Sequence, residues 1–175
     1  MNYLYHLVPE NMKGNFLYPL NELKEKYPEI YREAVKKYAK RKKILEGKIP
    51  ILNCFWSDVI HLTPVHPKKI KSALIDAGSD FLREREWKWF RINPYSIERT
   101  KTVIFLNTQN VGRKVEDYFY YSQSNLGRYS NLPKATISYY RQEYVARRVP
   151  LHSHFVPHIL YKGRINIKNC EVIEV

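Results

Sequence analysis

Cysteine and glycine are scarce in this chain: two and six among 175 residues. Cys54 and Cys170 cannot build a disulfide framework, and neither belongs to a C-x-x-C pair. Both lie in apolar, strand-like runs, where a free cysteine is a small buried hydrophobe rather than a nucleophile. A reducing compartment is the expectation. There is no Gly-rich phosphate loop and no G-x-S-x-G elbow. No apolar run approaches the roughly 20 residues that span a bilayer, so no membrane partner is expected. Residues 1–9 lack the basic start and apolar middle of a secretory leader, and the expected location is cytoplasmic. Repeats, low-complexity tracts and dividing linkers are missing too. Residues 1–175 are therefore expected to form one domain, long enough to bury a core without staples.

Acidic residues are also short, 17 against 30 Lys and Arg, which leaves a formal charge of +13. Such an excess attracts polyanions, and phosphate contacts release counterions. Fifteen tyrosines supply flat faces for bases or sugars, or simply an aromatic core. Hydrophobic content of 44% with 27% charged residues argues against global disorder.

Along the chain, residues 2–8 read as a short strand, with Tyr3, Tyr5 and Leu7 on one face and Leu4, His6 and Val8 on the other. Asn21 is placed to cap a turn of helix over 22–26. Pro28 opens the clearest helix, predicted over 28–46 and stopped by Gly47, with Tyr31, Ala34, Val35, Tyr38 and Leu45 on one stripe. Lys36, Lys37, Lys40, Arg41, Lys42 and Lys43 cover much of the remainder, either as a nucleic-acid face or as a solvated surface. The stretch 51–67 reads as a buried strand ending at His61-Leu62-Thr63-Pro64, and Pro67 begins a helix that Gly78 stops. Strands are predicted at 87–93, 101–107, 117–121, 155–161 and 168–175. Residues 122–133, with Arg128 and Tyr129, read as a surface loop, and 134–148 suits either helix or strand. The fold class is α+β, a split or curved, mostly antiparallel sheet with packed helices.

Six histidines carry the chemistry available near neutral pH. His152-x-His154-x-x-x-His158 approaches a metal-ligand spacing, but Pro150 and Pro157 interrupt it, it matches no closed zinc pattern, and no metal is expected. His61-Leu62-Thr63 is one His-x-Thr triplet; two of them facing each other would suit a phosphodiesterase, and the chain has only one. Apart from the resemblance that follows, two alternatives stay open: a catalytically silent basic nucleic-acid-binding module and a His-based phosphodiesterase.

Tyr3-Leu4-Tyr5-His6, then residues 58–64 leading into a helix, then a tail with Val156-Pro157 before the last strands, together resemble the ADP-ribosyltransferase fold. The layout is most similar to members that modify nucleic acid, including thymidine-modifying DNA toxins, and less so to RNA 2′-phosphotransferases. The resemblance covers most of the chain in order through short motifs. It implies NAD as the donor, nucleic acid as the acceptor, and His6 on the nicotinamide-side ribose. The second position falls among His61, Leu62 and Thr63, with Thr63 preferred for its hydroxyl. The third falls on Glu143, which would stabilise the charge that develops as nicotinamide leaves. Alternatively it falls on His158, a departure from the usual glutamate. Tyr5 and Tyr129 would stack on nicotinamide or a base, and Lys36, Lys37, Lys40, Arg41, Lys43 and Arg128 would gather the nucleic acid. Each residue also has a structural alternative: His6 and His158 bonded to backbone, Thr63 capping a turn, Glu143 paired with a nearby arginine.

Overall fold

The computed structural model describes residues 2–39, 41–107 and 114–175. In chain order the elements are β1 (Leu4–Leu7), β2 (Phe16–Leu17), α1 (Leu20–Lys26), α2 (Pro28–Lys36), β3 (Lys48–Ile49), β4 (Cys54–Phe55) and β5 (Ile60–Leu62). There follow α3 (Pro67–Asp76), β6 (Lys88–Ile92), β7 (Thr102–Phe105), β8 (Tyr118–Tyr120) and α4 (Lys134–Val145). The chain ends with β9 (His158–Tyr161), β10 (Ile165–Asn166) and β11 (Glu171–Glu174). The class is α+β, and every strand pairing among the described residues is antiparallel.

Two ladders form the framework, β1-β6-β11 and β5-β9-β7-β8. They meet at one isolated bridge, where Tyr5 N–H donates to the Thr63 carbonyl at 2.8 Å and Thr63 N–H to the Tyr5 carbonyl at 3.0 Å. The seven strands therefore run β11-β6-β1-β5-β9-β7-β8, split down the middle. Local chemistry ends the bridge on one side. Val65 N–H, the next donor in register, goes instead to Thr63 Oγ1 at 3.1 Å. On the other side β1 stays with β6 through Leu7, and His6 and Leu62, the next positions in register, do not pair. The strands fork there.

Alternation along the strands puts Leu4, Ile60, Leu62, Phe90, Ile92, Ile104 and Ile159 in one shared inner core that draws on both ladders. The opposite face of the β5 ladder packs Val103, Phe105 and Leu160 against Ile49, Leu52 and Trp56. Helices α3 and α4 close a third cluster around Ile70, Leu74 and Tyr140.

Several expectations are corrected here. The helix predicted over 28–46 ends at Lys36, gives way to turn, and resumes only as a single 3-10 turn, Lys42–Ile44. Like charges four apart, Lys37 and Arg41 among them, oppose continued helix, and Arg41 Nη2 donates to the Lys37 carbonyl at 3.4 Å, satisfying the helix end. Tyr31 and Val35 of α2, with Tyr38 just beyond it, line a groove of about 630 Å³ with Leu20, Leu45 and Phe55 instead of entering a core. The stretch 51–67 is no single strand but β4, a 3-10 turn at Trp56–Asp58, and β5. The loop expected at 122–133 contains the 3-10 helix Gln123–Tyr129, whose Leu126 is fully buried. Residue Asn21 does not cap α1; Pro19 holds the N-cap position, and Asn21 Nδ2 donates to Asp58 Oδ1 at 2.5 Å. The ambiguous segment 134–148 is helical as α4. No helix among the described residues is long and apolar enough to cross a membrane.

Candidate functional site

The fork collects histidines from three parts of the chain. His6 leaves β1 beside it, on the face that pairs with Phe90. Its Nδ1 is buried and without a hydrogen-bond partner within bonding geometry, and burial pulls its pKa down to about 4, against an opposing pull from the Leu7 backbone and with a smaller push from Lys37. Across the fork, His61 lies on the opposite face of β5. Its Nε2–H donates to the Trp56 carbonyl at 3.2 Å, since a carbonyl can only accept. The His61 ring packs 4.4 Å from the Trp56 indole. Burial holds the imidazole well below its ordinary pKa, and His158, Lys37 and His6 push the same way. His158, on the neighbouring strand β9, shares that face; its ring is 6.1 Å from His61 and 6.1 Å from Phe105. Its Nδ1–H donates to the Val156 carbonyl at 2.6 Å. His152 lies edge-on to Trp89, ring centres 6.2 Å apart, and its pKa is lowered by burial and then by Lys37.

Each of these imidazoles keeps partial exposure, yet desolvation dominates where its pKa shift is resolved. Each ring is thus walled by protein while keeping some contact with water. All three shifts are downward, so these rings are neutral at pH 7 and offer hydrogen bonds without charge. The charge comes from Lys37. Its residue surface is exposed, yet desolvation and then Arg41 lower its own pKa, and it contributes to the downward shifts of His6, His61 and His152.

The other sequence-derived residues are placed as follows. Thr63 is buried in the bridge, with its hydroxyl accepting from Val65. Replacement by Val removes that acceptor, and about 1 kcal/mol should be lost in urea unfolding; an unchanged midpoint would show the hydroxyl to be idle. Tyr5 is buried edge-on to His66, ring centres 5.1 Å apart, and Tyr129 packs against the inner core. Glu143 lies on α4, held by Arg148 through two bonds of 2.8 and 2.7 Å. Arg148 keeps its carboxyl below the ordinary range, with His154 contributing weakly; it is not among the charged neighbours of His6 or His61. The structure thus brings His6, His61 and His158 to the fork and leaves Glu143 with Arg148 and His154.

Of the basic set, Lys36 pairs with Glu33 at 2.7 Å. Arg41 and Lys43 are exposed beyond α2, Arg128 is exposed on its 3-10 helix, and Lys40 lies outside the described residues. His152, His154 and His158 point to three different surroundings: Trp87 and Trp89, Tyr139 and Phe155, and His61. Among the described residues no group of three or more His, Cys, Asp or Glu could hold a metal ion. Cys54 is buried, and its thiol is pushed up to about 11.

Sequence reasoning missed His152 and Trp89 as neighbours of the fork, and it did not separate Lys37 from the rest of the basic run. Only the pairing of β1 with β6 and the early end of α2 single them out. No protein-family model, curated protein or solved structure matches the chain.

Proposed function

We propose that the chain is an ADP-ribosyltransferase-like protein that uses NAD as the donor of ADP-ribose and nucleic acid as the acceptor. The observation that carries this is the position of His6 at the fork of a split antiparallel sheet, with an orphaned buried nitrogen. A buried polar atom without a partner carries a desolvation penalty that a ligand hydroxyl can relieve. The polar set fits NAD: His61 and His158 each place one N–H on a backbone carbonyl, and the other nitrogen of a neutral imidazole is an acceptor for a ribose hydroxyl, while the basic residues after α2 suit a pyrophosphate. The reading assigns the tail position to His158 rather than Glu143, because the His158 ring lies 6.1 Å from that of His61. The acceptor fits the charge of +13 and the exposed Arg41, Lys42 and Lys43 that follow Lys37.

One observation favours a second reading, a His-based phosphodiesterase. His61 and His158 stand 6.1 Å apart on adjacent strands, each with its tautomer fixed by a backbone carbonyl.

Incubation with labelled NAD and separate pools of protein, RNA and DNA distinguishes the two. Label on nucleic acid that disappears in His6→Ala supports transfer. No label together with no NAD-dependent thermal shift removes that proposal, and cleavage of RNA or cyclic nucleotides without NAD would replace it.

A further inference from the structure

We infer that the groove alongside α2 is a binding site for single-stranded nucleic acid, whose bases stack on its aromatic rings while its lysines meet the phosphates. The inference rests on the proposed function for what the strand is for, not for the binding itself; the groove shares no residue with the histidine fork.

The groove exists because an amphipathic helix has no core to enter. Helix α2 contributes no buried residue, and neither does α1 before it. Tyr31 and Val35 of α2 and Tyr38 just beyond it share a lining with Leu45 and with Phe55 of β4, around about 630 Å³. The walls are tied to one another. Asn21 Nδ2 of α1 donates to Asp58 Oδ1 at 2.5 Å, and Asp58 Oδ2 accepts from Phe55 N–H at 2.7 Å. The Ser57 hydroxyl donates to the Leu45 carbonyl at 3.1 Å. The groove is therefore preformed, at a size within the roughly 300–1,000 Å³ of ligand clefts.

Its lining selects the guest. Phe55 is an apolar ring left 44% exposed, and with Tyr31 and Tyr38 it supplies three aromatic side chains to one opening. Lys36 and Lys42 line the same opening against one carboxylate, Glu46; Glu33 already holds Lys36 at 2.7 Å. The Lys37 ammonium lies 5.1 Å from the Tyr38 ring centre and brings a further cation to that end. Rings interleaved with cations suit a single strand, because every base has a π-face and every step a phosphate. A duplex keeps its base faces inside the stack, where these rings cannot reach them. A protein partner fits less well: surfaces that bind proteins are depleted in lysine and glutamate at their centres, and this lining holds both. The charge of +13 adds long-range attraction for a polyanion.

The test follows the fluorescence anisotropy of a labelled oligonucleotide of about 12 nucleotides, single-stranded or annealed to its complement, with the full chain. Phe55→Leu removes a ring and keeps an apolar side chain, and Tyr31→Leu does the same on α2. Both should fold, since neither residue is buried, and circular dichroism melts check it. Each ring variant should bind the single strand about tenfold more weakly, with its salt dependence unchanged. Lys42→Met should instead make the slope of log K against log salt shallower by about 0.7. Lys168→Met, exposed and outside the lining, should bind within about twofold of wild type. Ring variants that bind as wild type does, or a duplex held as tightly as the single strand, overturn the inference and leave the proposed function standing. Ring-dependent strand binding by a chain that transfers no label from NAD keeps the inference and removes the proposed function. A chain that binds no oligonucleotide overturns both. Phe55-dependent binding of an acidic amphipathic peptide in place of the oligonucleotide overturns the inference and assigns the groove to a protein partner.

Discussion

Lowering the pH from 7 to 4 is expected to remove roughly 3 kcal/mol of stability through His6 alone. Its folded pKa is about 4 against an ordinary 6.5. The sign follows from burial. In the folded protein the imidazole resists protonation; in the unfolded chain it accepts a proton near 6.5. Between those values the unfolded state binds more protons, so stability is intact above pH 6.5 and falls as the pH drops toward 4. His61 and His152, shifted in the same direction, add to the loss. The lowered carboxyl of Glu143 acts in the same direction only below its ordinary value of 4.5. Urea midpoints at pH 7, 5.5 and 4.5 should therefore decline steeply for the wild type and less steeply for His6→Gln. Parallel declines would show that His6 is not the buried neutral group described above.

Leu160→Ala should cost about 2–5 kcal/mol, the range for a large aliphatic side chain deleted from a packed core. Leu160 is 0% exposed in β9, a strand paired on both sides, opposite His61 in β5 and Val103 in β7. Nothing mobile can fill the space, because Trp56 and Phe105 already pack edge to face at 5.3 Å in the same cluster. The floor carrying His61 and His158 would loosen with it, so ligand binding should weaken together with stability. Val172→Ala is the contrast: half-exposed on the edge strand β11, it should change the urea midpoint by less than about 0.5 kcal/mol. Comparable losses in the two variants would mean that the core is not where the burial pattern puts it.

Parts of this architecture were legible in the chain itself. Pro67 and Gly78 bracket α3 as their backbone preferences require, and alternation places Leu4 and His6 on one face of β1, where their partners are Ile92 and Phe90. Strand β7 follows from its β-branched run. What was not legible depends on partners distant in sequence. A stripe at helical spacing over 28–46 cannot report that the helix ends at Lys36. A histidine triplet at 152–158 cannot report that its members face different neighbours. Glu143 and His158 are equally plausible in sequence; strand pairing puts one beside His61 and Arg148 holds the other on α4. The preference for Thr63 rested on its hydroxyl, and that hydroxyl is occupied by Val65.

The Tyr5–Thr63 bridge also has a mechanical meaning. A sheet joined by a full ladder resists shear along its whole length, whereas two hydrogen bonds worth about 1 kcal/mol each form a seam. The apolar side chains behind it come from both halves and act as the binding of a book. Cohesion between the halves therefore lies mainly in that shared apolar core, and the two hydrogen bonds of the seam set the register of the halves more than they hold them together.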